Sequence, residues 1–215
     1  MGSAFDLLLE GIELKKQGVL QGAIELYKKA IQIEPNFKEA WYKLAVALEE
    51  SGEIKNAKKA YQKAIKIDTK FKEAWNNLGT LYYEMKNYKS ALKCFQKAIA
   101  LDSNFQDAIK NHAMTLNALN KSEKAIEILF ELTEKNPRDF ETWNDLMTIN
   151  INVIRNSSKN SNSNKAFIKR ILQLLKRFKK FIKETIISWA IVLSGNKWNA
   201  ENIHIFQKQP ATIFS

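Results

Sequence analysis

The chain has 215 residues, 45% of them hydrophobic and 11% aromatic, which is enough to bury a core in one or two domains. Seven Gly, three Pro and no alternating β-branched runs exclude a sheet-rich fold and predict long helices with short connections. The net charge of +11 is uneven: residues 1–155 carry 23 Lys+Arg against 21 Asp+Glu and residues 156–215 carry 11 against 2, so the overall basicity is no argument for nucleic-acid binding.

A single cysteine, Cys94, excludes an internal disulfide and points to a reducing compartment, the cytoplasm. The N-terminal stretch has neither the basic start nor the apolar core of a signal peptide, Asp6 breaks a myristoylation signal, and no apolar run reaches the roughly 20 residues that span a bilayer.

From about residue 4 the chain repeats every 34 residues, in units at 4–37, 38–71, 72–105 and 106–139. Small residues recur in columns: Gly11, Ala45, Gly79, Ala113; Ala23, Ala57, Ala91, Ala125; Ala30, Ala64, Ala98. Such residues belong where two helix backbones approach closely. Large ones recur between them, as in Tyr27, Tyr61, Phe95, Leu129. Within a unit the spacing is i, i+3, i+4, i+7, so each unit holds two amphipathic helices. Breakers divide the pairs at Gly18, Gly52, Lys86-Asn87 and Asn120, and the units end at Pro35, Thr69, Ser103 and Pro137.

A fifth unit opens with Phe140, Trp143 and Leu146 and then loses the pattern, Asn150 standing at its Tyr position, so only a first helix over 139–155 is predicted. Residues 156–165 are polar and predict a mobile loop. Over 166–194 the apolar residues step by four and three, predicting one long basic amphipathic helix. Residues 195–215 form a tail without an assigned element.

The third unit carries Trp75, Leu78, Gly79, Tyr82, Ala91, Phe95 and Ala98 at the spacing W-x2-L-G-x2-Y, A-x3-F, A, and in this it resembles the tetratricopeptide repeat. The resemblance covers residues 4–137. The first unit departs from it at Glu10 and the fourth at His112, where the pattern has Leu. It implies an all-α fold, a right-handed α-solenoid of tetratricopeptide repeats followed by the C-terminal basic amphipathic helix.

No catalytic set is visible and no cofactor is expected. His112 falls on a core column and predicts a buried neutral imidazole. No Cys/His cluster has metal spacing, there is no glycine-rich phosphate loop, and Cys94 reads as a plain helix-surface thiol. What remains is surface, and the reading is a non-catalytic adaptor or scaffold.

In the family resembled here, the first helix of each unit lines a concave groove that takes an extended peptide or a partner helix. Carried over residue by residue, the groove positions are Tyr42, Lys43, Val46 and Glu49 in unit two, Asn76, Asn77, Thr80 and Tyr83 in unit three, Lys110, Asn111 and Met114 in unit four, and Asn144 in unit five. Asn76, Asn77, Thr80 and Tyr83 are expected to be free of packing duty. Asn77 and Asn111 resemble two rungs of the asparagine ladder in the O-linked N-acetylglucosamine transferase arrays, where an amide donates to and accepts from a peptide backbone. The carboxylate clamp of chaperone-binding members needs cations where Glu73, Asp107 and Glu141 stand. The expected ligand is therefore a neutral or basic peptide rather than a carboxylate-terminated tail.

The basic helix carries Lys169, Arg170, Lys176, Arg177, Lys179, Lys180 and Lys183 beside an apolar face. Three readings stand beside one another: a cap on the end of the array, an anchor on an anionic membrane surface, and an internal ligand or self-association contact that occupies this chain's groove or a second copy's. Nucleic-acid binding ranks below them, because the aromatics sit at helical spacing rather than on a stacking platform.

Overall fold

The structure is a computed structural model that describes residues 2–157 together with Leu172, Lys176 and Lys179. Among the described residues there are nine helices and no strands: α1 Ala4–Lys16, α2 Leu20–Ile33, α3 Lys38–Glu50, α4 Ile54–Ile67, α5 Lys72–Glu84, α6 Tyr88–Leu101, α7 Gln106–Ala118, α8 Ser122–Lys135 and α9 Phe140–Ser157. The chain divides into two compact units, Met1–Leu146 and Met147–Ser215, and α9 runs across the division. No helix among the described residues is long and apolar enough to cross a membrane.

The first unit is an α-solenoid. Its odd-numbered helices from α1 to α7 have 13 residues and its even-numbered ones 14, each packing on the next in sequence. The turn inside each repeat has one geometry four times over. The second residue after the helix turns left-handed, with φ of 81° at Gly18, 83° at Gly52, 57° at Lys86 and 59° at Asn120. The next N–H reaches back to the last turn, as Val19 to the Leu14 carbonyl at 2.9 Å and Asn87 to Tyr82 at 2.8 Å. This is the Schellman closure, which satisfies carbonyls that the helix end leaves open. Glycine fits it without strain at two positions, and Asn120 tolerates it.

Packing follows the columns. Ala23, Ala57, Ala91 and Ala125 are wholly buried, as are Ala30, Ala64 and Ala98. Gly11 and Gly79 are required by a close approach: a Cβ there would lie 2.6 Å from the Tyr27 and Phe95 rings respectively. Each large ring therefore seats directly on the partner helix backbone.

Polar clasps close the repeats internally. The Lys38 ammonium donates to Asp68 at 2.5 Å and sits 5.3 Å from the centre of the Phe71 ring. Thirty-four residues on, Lys72 meets Asp102 at 2.6 Å and the Phe105 ring at 5.2 Å. In unit four the pair becomes neutral, Asn136 to Gln106 at 3.4 Å. The hydrogen bonds between partners raise the pKa of Lys38 and Lys72 and lower those of Asp68 and Asp102.

Two expectations are corrected. Cys94 is buried, only 5% exposed, because its position on α6 faces the α5 interface. Burial pushes its thiol up to about 11, which leaves it an unreactive hydrophobe. Asn156 and Ser157 belong to α9 rather than to a loop, since polar residues do not by themselves interrupt the backbone ladder. The rest of the polar stretch, the helix over 166–194 and the tail lie outside the described residues. So do Lys169, Arg170, Arg177, Lys180 and Lys183, whereas Lys176 and Lys179 are helical and exposed.

Candidate peptide-binding groove

The α3, α5 and α7 helices present their groove positions side by side, because equivalent residues recur at the 34-residue period on stacked helices. Tyr42 opens the series. Its ring is tilted against Tyr61 and Phe71, with centroids 6.0 and 5.0 Å away, and the Lys43 ammonium stands 5.6 Å from its centre. Its hydroxyl accepts a hydrogen bond from Asn77 Nδ2 at 3.0 Å. Asn77 Oδ1 accepts from Asn76 Nδ2 at 3.3 Å, and Asn76 Oδ1 accepts from Asn111 Nδ2 at 3.1 Å. One file of amides thus crosses three repeats, from Asn111 on α7 through α5 to Tyr42 on α3.

This file changes the role of the asparagines. Asn76 is only 7% exposed, so it is a buried connector and not free of packing duty. Asn77 and Asn111 are half-buried and tie each repeat to the previous one. Asn77 also hydrogen-bonds the Tyr61 hydroxyl, so its amide is engaged on both sides of the file. Thr80 is half-buried and its hydroxyl turns back to the Asn76 carbonyl at 3.3 Å. Tyr83 is half-buried, its ring 5.4 Å from Tyr88.

Carboxylates flank the file. Glu49 accepts a 2.5 Å hydrogen bond from the Tyr61 hydroxyl. Burial raises the Glu49 pKa, the Tyr61 bond opposes that rise, and the nearby Glu84 and Glu50 add to it. The Tyr61 phenol is in turn pushed up, first by burial and then by Glu49. Sequence columns place Tyr61 with the core aromatics; the signal that it also reaches the groove is a hydroxyl where Phe95 and Leu129 have none, 12 residues after an acid.

At the far end Lys110 pairs with Glu141, the lysine side chain 14% exposed and the glutamate 74%. Burial works against the Lys110 charge, but Glu141, Asp139 and Asp107 outweigh it and its pKa rises. Val46 and Met114 are half-buried and add apolar contact area, while Asn144 is exposed. Among the described residues no group of three or more His, Cys, Asp or Glu could hold a metal ion.

Comparison with known proteins agrees with this architecture. A family model described as TPR repeat matches residues 11–52 and 48–86, and one described as tetratricopeptide repeat matches 73–105. No curated relative matches the sequence. Similar solved structures include MamA from Desulfovibrio magneticus, 18% identical over 82% of this chain and 95% of that one, with a TM-score of 0.67. YrrB, described as a TPR protein with an unusual peptide-binding site, is 17% identical over 85% and 92%, with a TM-score of 0.63. The first TPR of Spaghetti, bound to the HSP90 peptide SRMEEVD, is 20% identical over 55% and 94%, with a TM-score of 0.54. These likenesses share the fold, and residues 11–105 are tetratricopeptide repeats.

Proposed function

We propose that the array is a non-catalytic adaptor that holds an extended segment or helix of a partner protein on the face carried by α3, α5 and α7, and that the segment is neutral or basic. The observation that carries this reading is the amide file from Asn111 to Tyr42, with Glu49 and Glu84 beside it. Amides in register read a peptide backbone without regard to its side chains, and the flanking acids set the charge they favour. That Spaghetti and YrrB are described with peptides or a peptide site supports a peptide ligand on this fold. The acidic SRMEEVD sequence is the kind of ligand that Glu73, Asp107 and Glu141 would repel.

Fluorescence anisotropy with three labelled peptides tests this: one of Lys, Ser and Val, its Glu-for-Lys counterpart, and SRMEEVD. The basic peptide should bind most tightly, and Glu49→Gln with Glu84→Gln should weaken it by roughly threefold to tenfold, with a steep salt dependence. Equal capture of the acidic peptides would remove the charge preference. No capture of any of the three would count against the groove itself.

A further inference from the structure

The polar file stops at a defined place. Asn77 on α5 reaches Tyr42 on α3, and Asn111 on α7 reaches Asn76 on α5. Thirty-four residues back, the same step runs from Lys43 on α3 to Leu8 on α1, whose side chain can neither donate nor accept. The rest of the α1 groove face is apolar as well. Phe5 stands in the column of Glu39, Glu73 and Asp107, and Leu9 in that of Lys43, Asn77 and Asn111. The two lie one turn apart on one side of the helix, and they are 58% and 49% exposed.

An uncovered helix at the end of an array would explain bare apolar residues if they stood where the later units bury theirs. They do not. The columns that hold buried Ala40 and Ala74, Leu44 and Leu78, and Ala47 and Leu81 in α3 and α5 hold Asp6, Glu10 and Glu13 in α1, all exposed. The face on which the later helices pack into the array is thus charged in α1, as a solenoid end requires. The apolar pair lies beside that face, in line with the groove. The acids of the groove disappear at the same place: the counterparts of Glu49 and Glu50 are Lys15 and Lys16, and Lys15 pairs with Glu50 at 2.7 Å. Toward α9 the groove is acidic instead, with Glu141 in the column of Phe5 and Asp145 in that of Leu9.

We propose that Phe5 and Leu9 are the apolar end of the groove, and that the extended partner segment carries large aliphatic side chains at the end that meets them, with its basic residues over α3 and α5. This rests on the groove reading above and adds an order to the ligand. Because the strip continues the columns of the amide file, a segment laid along the file covers it. The anchor and the cations cannot exchange places, since Lys15 and Lys16 oppose a cation at α1 and the acids favour one further along. Packed helices stand about 8–10 Å apart and an extended chain advances about 3.3 Å per residue. The anchor therefore falls about three residues from the one over Tyr42 and about six from the one over Asn77.

The test uses the full chain and labelled nine-residue peptides of Lys and Ser: one without leucine, and others with a Leu-Ser-Leu run at the first, the central or the last three positions, which sets both leucines on one side of an extended chain. Fluorescence anisotropy should show one of the two end-placed peptides binding about tenfold tighter than the leucine-free one, and which of them does so gives the direction of the segment. Phe5→Gln with Leu9→Gln, both at exposed positions, should remove that gain and leave the leucine-free peptide bound as before. Glu49→Gln with Glu84→Gln should weaken every peptide and keep the gain. Capture of the leucine-free peptide with no gain from either end would sink the anchor and leave the groove standing, whereas no capture of any peptide would sink both. A gain that survives Phe5→Gln with Leu9→Gln, or an equal gain from the central leucines, would also overturn the proposal. A benzophenone attached at Leu9→Cys, the native Cys94 being buried, reports other occupants. Without peptide it should link neither to residues 158–215 nor to a second copy; either link would give the strip to the chain itself and end the proposal.

Discussion

Units three and four share a backbone but not a set of interactions. Unit three has Trp75 on the Thr69 carbonyl, the Lys72–Asp102 clasp under Phe105, Leu78 in the core and Phe95 seated on Gly79. Unit four has Ile109, a neutral Gln106–Asn136 pair, a half-buried His112 whose Nε2 is enclosed, and Ala113 and Leu129 at the positions of Gly79 and Phe95. Both keep the same helix lengths and the same left-handed turn. A solenoid repeat is held by many separate neighbour contacts, so it can lose several signature interactions one at a time and keep its shape. Signature residues therefore report how firmly a unit is held more than whether it forms.

The largest test of that contrast is truncation of the central ring. Phe95→Ala should cost about 3–5 kcal/mol, because a fully buried ring leaves a cavity against the bare Gly79 backbone. Leu129→Ala should fall toward the lower part of about 2–5 kcal/mol, since leucine is smaller than the Phe95 ring and the column position of Gly79 is held in this unit by Ala113, which has a Cβ. Urea unfolding measures both, and equal losses would show that the glycine adds nothing to the seat of the ring.

Replacing His112 by Leu should stabilise unit four by about 1–3 kcal/mol at acidic pH, where an enclosed imidazole is forced toward its charged form. The sign follows from burial, which lowers the His112 pKa below its ordinary 6.5. The unfolded chain then binds more protons than the folded one, so the contribution is complete above about 6.5 and is lost as pH falls through the lowered folded value. Hydrogen exchange of α7 and α8 between pH 7 and 5 should accelerate in the native chain more than in His112→Leu. Identical profiles would show that His112 is not what loosens the unit.

The smallest effect compares the turns. Lys86→Gly should gain about 1 kcal/mol and Asn120→Gly less, because lysine pays the full left-handed penalty that asparagine partly escapes. Thermal melts of the two variants give the order.

Much of this was legible in the chain because helical packing repeats with the sequence. The breakers at 18, 52, 86 and 120 mark the left-handed turns, and the alanine columns are the buried ones. The groove was legible only as a set of positions. A 34-residue column says that Asn77 and Asn111 occupy equivalent places, but not that the neighbouring Asn76 is folded under them as a connector. Nor does it say what lies across from Tyr61, because Glu49 comes from the other helix of the pair. The Lys38–Asp68 and Lys72–Asp102 clasps left a trace, a 30-residue spacing that recurs, but it runs through surface residues that hydrophobic periodicity does not weigh.

The clasps and the amide file differ in where they stop. Each clasp begins and ends inside one repeat, whereas the file crosses repeat boundaries. If residues 72–105 were excised, Phe71 would join Gln106 and every remaining clasp would stay whole. Asn111 would then stand where Asn77 had been, with Tyr42 still opposite. Loss of a whole repeat would rejoin the file at the hydroxyl from which it started, so the array could change length by unequal recombination and keep a continuous amide file.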